Sequence, residues 1–164
     1  MPQRNTIKEY VSDSYYHIYF RGVNKSKLFF EAPDYHYFLS LFDRYLSKRQ
    51  TKSKTGVLYQ KYNKEIQLEA YCLMNNHVHM FIYQGHNEQA LSKFMSSIMT
   101  SYGKYLNIKY RRVGSVFESR YKAKRIDDDS YFIHISRYIH MNPRYWQTYR
   151  NSSLRYVYAE PCPE

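Results

Sequence analysis

Cysteine is nearly absent: Cys72 and Cys162 are the two in 164 residues. Far apart in sequence, they give neither a metal-ligand spacing nor a disulfide framework, which fits a reducing compartment. Long apolar runs are missing, so no membrane span is expected. Met1-Pro2-Gln3-Arg4 lacks a following apolar signal segment, which makes the cytoplasm the expected location. Internal repeats and low-complexity segments are absent too. Acidic residues are few, 14 against 25 Lys and Arg, leaving a formal charge of +11. That excess argues for a polyanionic partner, by steering and phosphate neutralisation, and says nothing about fold. The competing reading is a generally basic, solubilising surface.

Aromatic residues are abundant: 21 Tyr, 9 Phe and 1 Trp. Some must form the core. Tyrosines interleaved with Lys and Arg also offer stacking platforms for unpaired bases. Against this background stands His77-Val78-His79, followed by Met80-Phe81-Ile82 and preceded by Cys72-Leu73-Met74 across an Asn75-Asn76 break. Side chains two apart on a strand share a face. His77 and His79 therefore present paired imidazoles, suited to a divalent metal, a phosphate or a proton-transfer site rather than a dry core.

The chain is long enough for one domain over residues 1–164, with 144–164 as an aromatic tail. Tyr15 to Arg21 is aromatic and β-branched, a strand by composition, ended by Gly22 and a basic turn. Phe38, Leu41, Phe42 and Tyr45 recur at helical spacing, predicting an amphipathic helix over residues 34–48. Ser47 to Gly56, polar and basic, reads as a mobile loop. Leu68, Ala70, Cys72 and Met74 alternate inward on a second strand, joined through Asn75-Asn76 to the His77–Tyr83 strand.

Leu91, Phe94, Ile98, Tyr102 and Tyr105 line a long helix over Ala90–Tyr110, in which Gly103 implies close packing or a bend. Val116 to Ile126 reads as a turn and a further strand. Asp127-Asp128-Asp129-Ser130 then provides acids and a cap for a helix from Tyr131 to Met141, stopped near Pro143. Strand, helix, strand, strand, helix, strand and a final helix describe an α+β class. The architecture is a ferredoxin-like (split βαβ) antiparallel sheet with an additional C-terminal tyrosine-bearing helix.

On that last helix Tyr138 and Asn142 are four apart and share a face with His134. If the helix crosses the sheet beside His77 and His79, it brings a phenolic and a carbonyl oxygen to two imidazoles. His17 reads as a strand residue of the fold. For binding a polyanion such as an unpaired nucleic-acid strand, the densest basic stretch is Lys104, Lys109, Arg111, Arg112, Arg120, Lys122, Lys124 and Arg125, interleaved with Tyr105, Tyr110, Phe117 and Tyr121. Arg21, Lys25 and Lys27 form a second candidate patch.

His77-Val78-His79 after Asn75-Asn76 resembles the histidine–hydrophobic–histidine motif of the HUH endonucleases. Arg137-Tyr138-Ile139-His140-Met141-Asn142-Pro143 resembles the tyrosine helix of their single-tyrosine transposases. Tyr16-His17-Ile18, Arg21-Gly22-Val23-Asn24 and the stretch from Tyr110 to Tyr121 extend the likeness across residues 10 to 145. It is strongest to the REP-associated tyrosine transposases and related insertion-sequence transposases. The resemblance implies cleavage and rejoining of single-stranded DNA, with DNA hairpins or repeated palindromic elements as partners. Tyr138 would be the nucleophile and become linked to the 5′ phosphate. His77, His79 and Asn142 would hold Mg2+ or Mn2+. Monomer and homodimer both stay open. A noncatalytic ferredoxin-like nucleic-acid-binding protein would explain charge and aromatics, but would leave His77, His79, Tyr138 and Asn142 without a shared task. A phosphodiesterase using activated water would need the same metal site and no Tyr138.

Overall fold

The computed structural model describes residues 10–127. The expected final helix, Tyr138, Asn142 and the aromatic tail lie outside the described residues. Six main elements follow in order: β1 (Ser14–Arg21), α1 (Ala32–Leu46), β2 (Ile66–Leu73), β3 (His77–Gln84), α2 (Ala90–Lys109) and β4 (Lys122–Ile126). β1 pairs antiparallel with both β3 and β4, and β3 with β2. The strand order is therefore β2-β3-β1-β4, so the two strand–helix–strand halves interleave. This is a mixed α+β fold with two helices against an antiparallel sheet, in the expected element order.

Period-two alternation decides which residues meet the helices. Tyr16, Ile18 and Phe20 of β1 share a face with Val78, Met80 and Ile82 of β3. They pack on Phe38, Leu41, Phe42 and Tyr45 of α1 and on Leu91, Phe94, Ile98, Tyr102 and Leu106 of α2. Phe38 and Tyr102 meet edge to face, with ring centroids 4.9 Å apart. The buried Tyr102 hydroxyl donates to the Leu28 carbonyl at 2.7 Å. Each such side chain, fully buried, contributes about 1.5–3 kcal/mol. The opposite face holds a smaller apolar cluster, Ala70, Cys72, Phe81 and Ile126, with Tyr15 and Met74 beside it.

Three expectations change in detail. β2 does not alternate throughout: a bulge between Leu68 and Ala70 slips the pleat by one residue. Leu68 consequently packs with the helices, while Ala70 and Cys72 face the other way. Ser47–Gly56, expected as a mobile loop, belongs to a hydrogen-bonded turn with Lys52 bridged to Leu58. Gly56 takes the left-handed conformation at its tip, with φ of 82°. α1 also starts earlier than residue 34. Pro33 fits the first turn because its φ is fixed and its missing N–H costs nothing there. The Asp34 carboxylate accepts the Phe30 and Glu31 N–H groups at 2.9 and 3.2 Å.

Candidate active site

Three sequence segments meet at the end of the sheet where β3 begins. Gly22 N–H donates to the Asn76 carbonyl at 2.9 Å, and Val23 N–H to the Val116 carbonyl at 3.0 Å. Glu118 N–H returns to the Arg21 carbonyl at 3.0 Å, while Leu28 and Phe29 both donate to the Asn75 carbonyl. The Arg21–Asn24, Asn75–His79 and Val116–Glu118 stretches are thereby fastened together. Gly22 has no room for a side chain: a Cβ there would lie 2.2 Å from the Ser26 carbonyl oxygen. Asn24 and Lys25 complete the turn with φ of 50° and 58°.

On the sheet face away from the two helices, register fixes the neighbours. Arg21 lies opposite His77, Tyr19 opposite His79, and His17 opposite Phe81. On the far side of β1, Lys122 lies opposite Tyr19 and Lys124 opposite His17. Cys72 of β2 lies opposite His79. The His77 and His79 rings stand nearly perpendicular, with centroids 5.1 Å apart. His17 stacks on His79 at 5.2 Å, and Lys122 Nζ sits 5.7 Å from the Tyr19 ring centre.

Each expected imidazole ligand has its Nδ1 engaged. His77 Nδ1 lies 2.6 Å from Asn76 Oδ1, and His79 Nδ1 lies 3.0 Å from His17 Nε2. An amide oxygen only accepts, so His77 carries its proton on Nδ1 and presents its lone pair on Nε2. With the proton between His79 and His17 on Nδ1 of His79, the second ring matches the first. Partners of this kind orient metal-ligating histidines and fix their tautomers.

Burial works against protonation of all three imidazoles. Burial, then the positive field of Lys124, pushes His17 down to about 4. Burial above all, with the unfavourable cost of a second proton beside His17 and His77 and the field of Arg21, pushes His79 down to about 3. His77 is lowered by burial and Arg21. A neutral ring keeps one lone pair that it can offer to a cation. Cys72 is fully buried and its thiol is pushed up to about 12, so it stays protonated. Among the described residues, no group of three His, Cys, Asp or Glu is arranged to hold a metal ion.

The expected DNA-binding residues separate into groups. Arg21, Lys25 and Lys27 are exposed at the end of β1 that lies opposite His77 of β3, and Lys122 and Lys124 lie on the histidine face. Arg111 and Arg112 follow the end of α2, and Lys104 is exposed on that helix. Arg120 lines a groove of about 780 Å³ together with Ser92, Ser96, Thr100 and Glu118. Arg125 alternates away from Lys124 and pairs with Asp127 at 3.1 Å. Lys109 is held between Asp34 and Glu31, 2.6 Å from each. Sequence reasoning passed over His17 and Asn76 as partners of the paired histidines. The available signal was period two in Tyr15-x-His17-x-Tyr19-x-Arg21, which only a known register turns into a neighbour of His79.

Paired imidazoles on a strand of such a sheet are the defining feature of the HUH class. The family model described as "Transposase IS200 like" matches residues 10–142, and the chain belongs to that family of HUH single-tyrosine transposases. No curated protein matches the chain. A solved REP-associated tyrosine transposase, determined bound to a REP hairpin, aligns at a TM-score of 0.59 and 12% identity. The alignment covers 86% of this chain and 73% of that one. At that identity the likeness is one of fold.

Proposed function

We propose that this chain is a metal-dependent single-stranded DNA endonuclease and strand transferase that works through a 5′-phosphotyrosine intermediate. The observation behind this reading is the pair His77 and His79 on one face, each with Nδ1 engaged, within a family match that runs through Tyr138 and Asn142. Residues 1–164 act as one HUH unit on a ferredoxin-like core, to which Tyr138, Asn142 and the 144–164 tail belong.

Tyr138 Oη attacks the scissile phosphorus. An Oη–P bond forms, the P–O3′ bond breaks, the phenol loses its proton and the departing 3′ oxygen gains one. Attack by a 3′ hydroxyl on the phosphotyrosine reverses these changes and seals a strand without an external energy source. His77, His79 and Asn142 would hold Mg2+ or Mn2+. The imidazole content suits Mn2+ better, because Mg2+ prefers oxygen ligands. When bound, the cation polarises the phosphate and stabilises developing negative charge.

Arg21 beside His77, Lys122 beside Tyr19 and Lys124 beside His17 supply positive charge for a bound strand. Tyr19 adds an aromatic ring next to His79. The REP-associated transposase solved with its hairpin supports a hairpin as the DNA partner. Among the described residues no helix is long and apolar enough to cross a membrane, and we place the activity in the cytoplasm.

A denaturing-gel assay tests the proposal, using a diverse single-stranded hairpin library with Mn2+ or Mg2+. A metal-dependent protein–DNA adduct is expected from the wild type and not from Tyr138→Phe, which still binds. Binding without an adduct across the library would favour the noncatalytic nucleic-acid-binding reading. Cleavage that survives Tyr138→Phe without attached DNA would point to activated water.

A further inference from the structure

Arg44 to Lys64 contains seven Lys and Arg and no Asp or Glu. The segment forms a lobe fixed to the end of α1. The Arg44 guanidinium lies 4.6 Å from the Tyr59 ring centre, and Lys61 Nζ donates to the Arg44 carbonyl at 2.6 Å. Ser53 N–H to Val57 and Tyr59 N–H to Thr51 close the outer turn at 2.8 and 3.0 Å. Two cations thus build the lobe, while Lys48, Arg49, Lys52, Lys54 and Lys64 project from it exposed. Arg49 meets Asp43 at 3.8 Å with both side chains in solvent, a pair too weak to neutralise it.

The aromatic rings of this lobe face inward. Tyr45 and Tyr62 are buried, their hydroxyls bonded to Ser101 and Ser97 at 2.8 and 2.9 Å. Tyr59 is covered by Arg44. Binders of unpaired strands combine charge with exposed aromatic platforms. This lobe offers charge and hydroxyls without such platforms, which matches a phosphate backbone whose bases are already stacked.

We propose that the Lys48–Lys54 lobe binds the backbone of duplex DNA, the paired stem of the substrate whose unpaired part reaches His77 and His79. This assignment of a partner to the lobe rests on the DNA-cleaving reading above. β2 leaves the lobe at Ile66, opposite Gln84, five residues along β3 from His79, which is about 17 Å along the strand at 3.4 Å per residue. The lobe itself stands on the helix side, tied to Ser101 and Ser97 of α2. A duplex advances 3.4 Å per base pair, so a stem must exceed about five base pairs to reach the lobe from the histidines.

The test measures binding by the full chain in EDTA, so that cleavage does not intervene. Wild type is compared with Lys48→Ala/Arg49→Ala/Lys52→Ala/Lys54→Ala, and with the smaller pair Lys52→Glu/Lys54→Glu. The probes are one loop sequence on a stem of about three or about twelve base pairs, and a fully unpaired strand. On the long stem the quadruple variant should bind roughly 10- to 100-fold more weakly. Its slope of log affinity against log salt should shrink by up to about 3.6, about 0.9 for each phosphate that is no longer neutralised. Short-stem and unpaired DNA should bind both proteins alike. Equal weakening on all three probes, or none on the long stem, overturns the proposal. In the separate assay with Mn2+ or Mg2+, absence of any wild-type adduct would overturn the nuclease reading instead, and the salt slopes in EDTA would still judge the lobe.

Discussion

His17 and Asn76 act on the proposed site through other side chains. Each engages the Nδ1 of one histidine, at 3.0 Å and 2.6 Å respectively. Removing such a partner frees the ring to turn and to change tautomer, a cost of about 10- to 100-fold in metal affinity. His17→Ala and Asn76→Ala, each in a Tyr138→Phe background, should weaken Mn2+ binding by that factor in a calorimetric or EPR titration. His17→Gln should restore part of the affinity, because its amide oxygen can still accept from Nδ1. Unchanged Mn2+ affinity in both alanine variants would remove them from the site. Strand alternation makes the His77–His79 pair legible from sequence alone. The role of His17 is not legible, because it depends on register between strands 62 residues apart.

At the scale of elements, the two helices are tied by one buried carboxylate. Asp34, fully buried near the start of α1, accepts from Lys109 at 2.6 Å, Tyr110 at 2.7 Å and Tyr105 at 2.9 Å. These donors and the Phe30 N–H outweigh its burial and hold its carboxyl below the usual range. Asp34→Ala should cost about 3 kcal/mol in urea unfolding, by removing charged hydrogen bonds and loosening the helix start. A change below about 0.5 kcal/mol would contradict that role.

Glycines divide in the same concrete way. Gly22→Ala forces a methyl against the Ser26 carbonyl and should destabilise by about 1–3 kcal/mol. At Gly103 a Cβ meets Phe117 at an ordinary 3.5 Å, so Gly103→Ala should stabilise by up to about 1 kcal/mol through helix propensity. Thermal or denaturant unfolding of the two variants separates them by sign. Helical and strand periodicity place the six main elements near their observed positions. The β2 bulge and the Asp34 network escape that reading because both are set by pairing across the sheet and between helices.

For the whole molecule, composition supplies a large excess of positive charge, and folding distributes it. One basic group surrounds the His77 end of the sheet, another forms the lobe before β2, and Lys109, Arg44 and Lys61 are drawn into holding the structure together. Burying His17 and His79 near Lys124 and Arg21 has a consequence for stability. In the unfolded chain histidines take up protons near pH 6.5. In the folded chain His17 and His79 resist until about 4 and about 3. Between those limits the unfolded state binds more protons, so stability is full above about pH 6.5 and falls as the pH drops. The slope reaches about 1.4 kcal/mol per pH unit for each such histidine. In EDTA, the urea midpoint should hold steady from about pH 8 to about pH 7 and decline steeply toward about pH 4. His17→Gln, which removes one titrating ring, should flatten that decline while leaving a lower plateau. A wild-type midpoint equal at about pH 7 and about pH 5 would mean that these rings are not held neutral by the fold.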